Sequence, residues 1–391
     1  MNYVLFDGAA HNALLPFTHT RPVADIRVGI FTIREKWELF LKTKTFTLTE
    51  DYLAEKYPLV VKQDTIFINA SFLPDKELVA VVSKLKTHEA VFYKDELLAY
   101  CSDKPMPDGA FNKEKCISYT GPVFRIEYPW DIFRKNGDAI NIDYQWLHKT
   151  RKQIPAPDTV QIIAPENVFI EEGASLSFAM INASSGPVYI GRNATVMEGC
   201  LIRGPFSLGE GATLKMGAKI YGPTTIGPYC KAGGEITNSI LFGNSNKAHD
   251  GYLGNSVIGE WCNLGADSNT SNLKNDYSQV RLWSYETESY VRTGLQFCGL
   301  MMGDHSKCAI NTMFNTGTVV GVNANIFGSG FPRNFIPSFT WGGASKTTTY
   351  QTKKAFEVAR AVMKRRDQEF TEVDEHILTH IFEHTRKWRR E

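Results

Sequence analysis

Residues 186–227 carry the clearest pattern in the chain, and they read GPVYIGRNATVMEGCLIRGPFSLGEGATLKMGAKIYGPTTIG. Aliphatic side chains recur at every sixth position of this stretch, and Gly-Pro and aliphatic-Gly pairs recur at every eighteenth. The six-spaced positions are Ile190, Val196, Ile202, Leu208, Leu214, Ile220 and Ile226. A hexad repeat with an eighteen-residue superperiod is typical of a parallel β-helix of triangular cross-section, or prism, in which three hexads complete one coil. Because one coil cannot bury its inner face alone, we expect consecutive coils to stack.

The hexad pattern is interrupted twice. Ile258 follows Ile226 by 32 residues, which is 14 more than the period allows. We therefore predict an inserted loop at about residues 238–253, and loops that leave a rigid repeat scaffold often carry function. Residues 279–298 also lack hexads and suggest a second excursion.

The residues before the hexads have a different pattern. Short apolar runs at residues 4–6 and 65–68 indicate strands, and a helical periodicity over residues 30–41 lies between them. Alternating strands and helices indicate an α/β domain. The proline-rich hinge at residues 154–157 follows it, and helical patterns return after residue 353. We predict three parts: an α/β domain at residues 1–153, the prism at residues 158–345 and C-terminal helices at residues 346–391.

Composition excludes several classes of protein. The net charge of +1 provides no general attraction to nucleic acid or to an anionic membrane. The seven cysteines include no C-x-x-C pair, which favours free thiols in a reducing compartment. No run approaches 18 apolar residues, and the N-terminus has no signal-peptide pattern. We expect a cytoplasmic protein with small-molecule partners, without nucleic acid or membrane.

Polar functional groups concentrate in residues 247–272. This part of the chain contains His-x-x-Tyr-Leu-Gly at residues 249–254, Asn-Leu-Gly-Ala at 263–266 and Thr-Ser-Asn at 270–272. The run resembles, over about 25 residues, the acetyltransferase half of the bifunctional UDP-N-acetylglucosamine pyrophosphorylase/glucosamine-1-phosphate N-acetyltransferase family. The resemblance implies a left-handed β-helix that uses acetyl-CoA to acetylate the amine of a hexosamine 1-phosphate.

The same resemblance implies roles for individual residues. His249 looks like the general base that takes a proton from the attacking amine, a task that suits imidazole near neutral pH. The backbone N–H of Ala266 would stabilise the oxyanion that develops at the thioester carbonyl. The residues implied to contact the sugar phosphate are Lys219, Glu235, Tyr252, Asn263 and Asn272.

Each of these residues also has a structural interpretation. Asn263 and Asn272 fit internal asparagine ladders equally well, and Lys219 and Glu235 fit ordinary surface charges. In addition, Thr237 stands where the family has a substrate-binding Lys, and Asp267 stands where it has a Gly. The acceptor amine can therefore differ from glucosamine 1-phosphate.

The N-terminal domain resembles a divergent branch of the same family. Residues 17–30 carry this resemblance, which implies transfer of a nucleotide from UTP or dTTP to a sugar 1-phosphate, with Mg²⁺. The family's glycine-rich phosphate loop is largely missing from residues 7–16, and Asn69 stands where the family has a metal-binding Asp. A metal site in this domain therefore requires that Asp7 or Asp25 substitutes for that Asp. Arg21 and Arg27 are the best candidates for binding phosphate, and ion pairs with nearby aspartates are their alternative.

Several functions remain open at this point. One alternative is a nucleotidyltransferase alone, with the prism as an oligomerisation and regulatory module. A carbonic anhydrase of the hexapeptide type would need three His ligands for zinc, whereas His249 and His305 are the only histidines between residue 160 and the terminal helices. A scaffold without catalysis is the remaining alternative. The family further implies a homotrimer with the acyl site between adjacent subunits.

Overall fold

The computed structural model describes residues 1–105, 111 and 116–389. The chain divides into two compact units. The N-terminal unit contains residues 1–26 and 31–128, and the prism unit contains residues 27–30 and 129–391.

The N-terminal unit is built on a mixed six-stranded sheet. Its strands, in spatial order, are Phe46–Leu48, Tyr3–Phe6, Thr65–Asn69, Glu96–Ser102, Ala90–Tyr93 and Cys116–Ser118. The first three are parallel to one another, and Glu96–Ser102 runs antiparallel to both of its neighbours. A separate antiparallel pair joins Phe72–Leu73 to Phe124–Arg125. The carboxyl ends of the three parallel strands therefore lie along one edge of the sheet.

Short helices connect these strands. The α-helices are Ala10–Ala13, Ile33–Leu41 and Lys76–Val82, and the 3₁₀ helices are Phe17–His19, Val23–Asp25 and Asp51–Leu53. The helix Ile33–Leu41 begins at a capping box in which Thr32 and Glu35 bond each other's backbone N–H groups. Strands and helices alternate as the sequence predicts, and the α/β class is confirmed.

The prism unit is a left-handed β-helix whose coils form three faces. The helix face contains Val168–Ile170, Val188–Ile190, Phe206–Leu208, Thr224–Ile226, Ile240–Leu241, Val257–Ile258, Met301–Met302, Val319–Val320 and Phe335–Ile336. The second face contains Ser175–Leu176, Thr195–Val196, Thr213–Leu214, Lys231–Ala232, Asn246–Lys247, Asn263–Leu264, Lys307–Cys308, Asn325–Ile326, Thr340–Gly342 and the antiparallel Thr347–Thr349. The open face contains Gln161–Ile163, Met180–Asn182, Leu201–Arg203, Lys219–Tyr221, Glu235–Thr237 and Tyr252–Gly254, and a separate pair joins Asn269–Thr270 to Met313–Phe314.

The hexad positions line the inside of the prism. The seven six-spaced side chains of residues 190–226 are each at most 3% exposed. They stack in register, since Ile190 pairs with Leu208 and Leu208 pairs with Ile226 on the helix face. Stacking removes their apolar surface from water, which is the main stabilising contribution to such a repeat.

The predicted insertion at residues 238–253 is wrong. Thr225 pairs with Ile240 and Ile240 pairs with Val257, so the 32 residues form two complete coils of 15 and 17 residues. The intermediate coil carries Leu241–Phe242 where its neighbours carry Ile-Gly, and the sequence pattern therefore misses it. His249 consequently lies on a regular coil and not on a loop that leaves the prism.

The excursion at residues 279–298 is confirmed. Val257 pairs directly with Met301, a separation of 44 residues, and the extra chain forms an antiparallel hairpin of Arg281–Ser284 with Ser289–Arg292. Trp283 of this hairpin stacks on Phe335, with ring centroids 4.3 Å apart. The hairpin is thus anchored to the later coils of the prism by aromatic packing.

Two helices cover the helix face. Pro129–Arg134 packs against the strand Val257–Ile258, and Asn136–Thr150 packs against Phe206–Leu208 and Thr224–Ile226. The boundary between the compact units therefore falls after residue 128, whereas the sequence places the end of the first domain at residue 153.

Residues 27–30 form a strap on the same face. The backbone N–H of Gly29 donates to Asn136 Oδ1 at 2.7 Å, and that of Ile30 donates to Asp143 Oδ2 at 2.8 Å. Gly29 has a φ of +76°, and a Cβ there would lie 2.4 Å from Asp143 Oδ2, so glycine is required at this point.

The chain closes with the α-helices Thr352–Lys364 and Glu372–His384 and the 3₁₀ helix Arg386–Trp388. A further 3₁₀ helix, Pro165–Asn167, lies in the first coil. The helix Glu372–His384 begins at a capping box formed by Thr371 and Asp374. Among the described residues, no helix is long and apolar enough to cross a bilayer.

Candidate functional site

A row of polar side chains crosses three consecutive coils on the open face. Lys219 pairs with Glu235, and Glu235 pairs with Tyr252. The next residue of each strand is an aliphatic side chain buried in the prism, so alternation turns the polar row outward. Neighbouring strands lie about 4.8 Å apart, and a ligand of sugar size can therefore span the row.

Tyr252 lies at one end of this row in a hydrogen-bonded cluster. Asn272 Nδ2 donates to Tyr252 Oη at 2.9 Å and to Asn255 Oδ1 at 2.8 Å. Burial raises the pKa of the Tyr252 phenol, the Asn272 hydrogen bond lowers it, and the charge of Glu235 raises it. Because the phenol stays protonated and its oxygen already accepts a hydrogen bond, its O–H can donate to a ligand.

Tyr221 was not recognised from the sequence, yet it belongs to the same surface. Its hydroxyl donates to Glu235 Oε1, and this hydrogen bond, with burial, raises the pKa of Tyr221 to about 12. Tyr221 is also the register partner of Thr237, the position where the resembled family has a Lys. On this surface the Glu235 carboxylate therefore accepts a hydrogen bond from the Tyr221 phenol.

His249 and Ala266 lie on stacked turns where the second face meets the open face. His249 is exposed, between the strands Asn246–Lys247 and Tyr252–Gly254. Two backbone hydrogen bonds hold the turn that carries Ala266. Asp267 N donates to Asp250 O at 3.0 Å, and Asn311 N donates to Ala266 O at 2.8 Å. Within the described part of the chain, the Ala266 N–H has no acceptor. An unbonded backbone N–H can stabilise negative charge on a reacting oxygen.

Asn263 lies apart from this group on the second face. Its side chain is exposed and accepts a long hydrogen bond of 3.4 Å from Asn246 Nδ2. The structure thus brings together Lys219, Glu235, Tyr252 and Asn272 on one face of a single chain, places His249 and Ala266 at its corner, and leaves Asn263 on a different face.

The N-terminal unit has its own polar cluster at the carboxyl ends of the parallel strands. Asp7 Oδ1 accepts from Val23 N at 2.8 Å, and its Oδ2 contacts His11 Nδ1 at 2.9 Å and accepts from Thr49 Oγ1 at 2.5 Å. Asp7 and Gly8 directly follow the strand Tyr3–Phe6, which lies between two parallel partners. This edge is where open α/β sheets bind ligands.

The residues at this edge do not fit a magnesium site. Both oxygens of Asp7 are engaged by protein groups, and Asn69 donates to Glu96 Oε1 at 3.3 Å and to Leu97 O at 3.2 Å. Among the described residues, no three His, Cys, Asp or Glu side chains gather as a metal-binding group.

The two arginines proposed for phosphate binding lie in different units. Arg21 is 4% exposed and belongs to the N-terminal unit. Arg27 belongs to the strap on the prism, where its Nε donates to Phe242 O at 3.1 Å and its Nη1 donates to Ile30 O at 2.5 Å.

These features define a class of protein with an α/β sheet unit and a left-handed β-helix that presents a polar corner. Residues 3–152 match the family described as sugar nucleotidyl transferase. An Escherichia coli protein named uncharacterized acetyltransferase YaiX is 32% identical over 164 residues, which cover 41% of this chain and 70% of that protein. The chain belongs to the same family as this E. coli protein.

Other relatives match a smaller part. The bifunctional protein GlmU of Methanocaldococcus jannaschii is 35% identical over 89 residues, which cover 23% of this chain and 21% of that protein. The chain thus matches about a fifth of the length of this relative. Among solved structures, the polySia-specific acetyltransferase NeuO has a TM-score of 0.28 and 11% identity, covering 49% of this chain and 87% of NeuO. A TM-score this low adds nothing about function.

Proposed function

We propose that this protein is a transferase of sugar-nucleotide biosynthesis whose prism acylates the amine of an amino-sugar phosphate, using acetyl-CoA. The observation that carries the proposal is the corner at which the exposed His249 and the unbonded Ala266 N–H meet the polar row of the open face. A general base, an oxyanion donor and a sugar-sized row of polar groups are the three components that acyl transfer to an amine requires.

The steps follow from these positions. The acceptor binds along Lys219, Glu235 and Tyr252, with its phosphate toward the Lys219 ammonium. His249 removes a proton from the acceptor amine as it attacks the thioester carbonyl, and the Ala266 N–H stabilises the oxyanion. The proton then leaves with the coenzyme A thiol. Exposed apolar side chains at Ile310 and Phe327, on later coils, suit the chain of the coenzyme.

We further propose that the acyl site is completed between subunits of a homotrimer. Asn263 lies on a different face from Tyr252, and a neighbouring subunit would bring its own Asn263 to the acceptor. The open face carries exposed apolar side chains at Ile163, Met180 and Leu201, which line a groove of about 510 Å³. An apolar patch of this kind suits contact with a second copy of the chain.

The N-terminal unit is proposed to transfer a nucleotide from UTP or dTTP to a sugar 1-phosphate. The family match over residues 3–152 supports this activity, and Arg21 is the proposed phosphate contact. If the N-terminal unit alone is active, the prism acts as an oligomerisation module. The exposed His249 and the unbonded Ala266 N–H, on stacked turns, favour an active prism. The seven free cysteines suit a reducing compartment, and we place the enzyme in the cytoplasm.

The test of acyl transfer is thiol release from acetyl-CoA in the presence of glucosamine 1-phosphate and a panel of other amino-sugar phosphates. His249→Ala should lower the rate at least ~100-fold, the effect of losing a general base. His376→Ala, which removes an exposed histidine from a C-terminal helix, is the matched control and should keep full rate. Full activity of His249→Ala with every acceptor would refute the mechanism.

The test of nucleotidyl transfer is pyrophosphate release from UTP or dTTP with sugar 1-phosphates. Arg21→Ala should abolish this release and leave acyl transfer unchanged, and Arg21→Lys should retain part of it because the positive charge remains. Loss of both activities in Arg21→Ala would contradict the assignment of one reaction to each unit.

A further inference from the structure

One lysine occupies a position inside the prism where its neighbours are apolar. On the second face, Lys247 is the register partner of Ala232, and its side chain turns inward. Its exposure is 2%. The equivalent inward positions of the other coils are occupied by Leu176, Val196, Leu214, Ala232, Leu264, Cys308 and Ile326.

Within the described residues, the ammonium of Lys247 forms hydrogen bonds only with backbone carbonyls. Its Nζ donates to Gly233 O at 3.0 Å, to Asp250 O at 3.3 Å and to His249 O. No carboxylate in the described part of the chain forms an ion pair with it. Burial lowers the pKa of Lys247 to about 8, and the charge of Asp250 opposes this effect.

A buried ammonium without a counter-charge is unfavourable for stability. Moving such an ion out of water is strongly unfavourable unless a counter-charge compensates for the lost hydration. An apolar side chain would fill the same position, as Leu214 and Leu264 do in other coils. A benefit other than packing is therefore needed to account for the lysine.

The carbonyl groups that accept hydrogen bonds from the Lys247 ammonium indicate what this benefit is. Two of the three belong to His249 and Asp250, in the turn that presents the imidazole. Asp250 O also accepts from Asp267 N at 3.0 Å, so the same carbonyl ties this turn to the turn that carries Ala266. The ammonium thus lies directly beneath the backbone of the candidate base.

We propose that Lys247 is a positioning residue, whose ammonium holds the carbonyls of His249 and Asp250 and so fixes the imidazole relative to the Ala266 N–H of the next coil. This inference rests on the proposed acyl transfer. Lys247 acts through the main chain of the turn and does not touch the substrate. Small displacements of a catalytic group reduce rates strongly, by up to ~100-fold for a shift of about 1 Å.

The experiment compares Lys247→Met with Lys231→Met. Methionine has a similar length without the ammonium, and Lys231 is an exposed, outward lysine on the preceding coil. Three quantities are measured: amide hydrogen exchange of the peptide over residues 248–252, and kcat and KM for acyl transfer. Exchange does not depend on catalysis and reports local opening of the turn.

In Lys247→Met we expect exchange of this peptide at least ~10-fold faster, as local opening becomes easier. We expect kcat to fall between ~10-fold and ~100-fold while KM for acetyl-CoA stays within about 2-fold. A purely structural role would change stability without this separation of kcat from KM. Lys231→Met should match the wild type in all three quantities. Lys247→Gln retains a shorter donor, should give intermediate values, and carries the test if the Met variant does not fold.

Normal exchange together with a normal kcat in Lys247→Met overturns the proposal. If the wild type acylates none of the tested acceptors, the proposed acyl transfer is refuted. If exchange is still faster in Lys247→Met, the positioning of the turn by Lys247 stands. Normal exchange with a reduced kcat would also overturn the proposal, because the effect would not pass through the turn.

Discussion

Replacement of Lys247 by methionine should change the pH dependence of stability. Burial lowers the pKa of Lys247 from its ordinary value of 10.5 to about 8 in the folded protein. Between about pH 8 and pH 10.5 the unfolded chain therefore keeps a proton that the folded chain has lost. Since stability rises with pH wherever the unfolded state binds more protons, this lysine makes the wild type more stable as the pH rises through that window.

The magnitude follows from the two pKa values. A pKa difference of one corresponds to about 1.4 kcal/mol, so the lowering of the Lys247 pKa amounts to about 3 kcal/mol in all. Most of this change falls between pH 7 and pH 10. The methionine variant lacks it, so its free energy of unfolding relative to the wild type should decrease by about 2 to 3 kcal/mol over that range.

The assay is differential scanning calorimetry of both proteins at pH 7 and at pH 10. A domain of about 200 residues shifts its Tm by about 2 to 4 °C per kcal/mol, so the difference in Tm between the two proteins should grow by about 5 °C or more. Burial also lowers the pKa of Lys307 to about 8, but Lys307 is present in both proteins and cancels from the difference. A difference in Tm that stays constant within about 1 °C would refute the reasoning, because the lysine would then not be held in the interior as a charged group.

Three further outcomes are expected. Tyr252→Phe removes the hydroxyl that accepts from Asn272 Nδ2, and the KM of the acceptor should rise about 3- to 10-fold, the effect of one hydrogen bond, in a steady-state assay of acyl transfer. Cys116 is half-buried, whereas the other six cysteines are buried. A thiol reagent should therefore label about one cysteine rapidly in the native protein, and Cys116→Ser should abolish this rapid labelling. Thr371→Ala removes the cap of the helix Glu372–His384 and should destabilise the C-terminal region by about 1 kcal/mol, measured as increased hydrogen exchange of that helix.

Each of these outcomes has a control. Tyr290→Phe changes an exposed phenol on the hairpin and should leave the acceptor KM unchanged. Rapid labelling of several thiols would contradict the burial of the prism cysteines. Thr371→Ser keeps a hydroxyl that can accept the same hydrogen bond, and exchange of the helix in this variant should stay near that of the wild type.

The hexad positions show what the sequence predicts well. Ile190, Leu208 and Ile226 are inward residues because a short repeat fixes both the strand and the corner of every coil. The prediction failed at residues 238–253, where two coils of 15 and 17 residues replace the regular 18. Coil length can change at a corner without loss of strand pairing, so counting residues between Ile-Gly pairs cannot separate a shortened coil from an insertion.

Some features of the candidate site likewise follow from the sequence, and others depend on the tertiary structure. The spacing of His249, Tyr252 and Asn272 points to the corner of the prism, and the structure joins Tyr252 to Asn272 by a hydrogen bond. The pairing of Tyr221 with Glu235 depends on the register between neighbouring coils, which is a long-range property. Lys247 appears in the sequence as an ordinary charged residue beside His249.

By itself the sequence determined the repeat, the α/β unit before it and the polar corner, because these depend on local periodicity and on short motifs. The tertiary structure was needed to show that residues 27–30 belong with the prism, that Asn263 lies on a different face from Tyr252 and that Lys247 points inward beneath His249. The physical reason is that the direction of a side chain and its partners are set by the stacking of coils. Stacking brings together residues that are distant along the chain, and local sequence does not record the register.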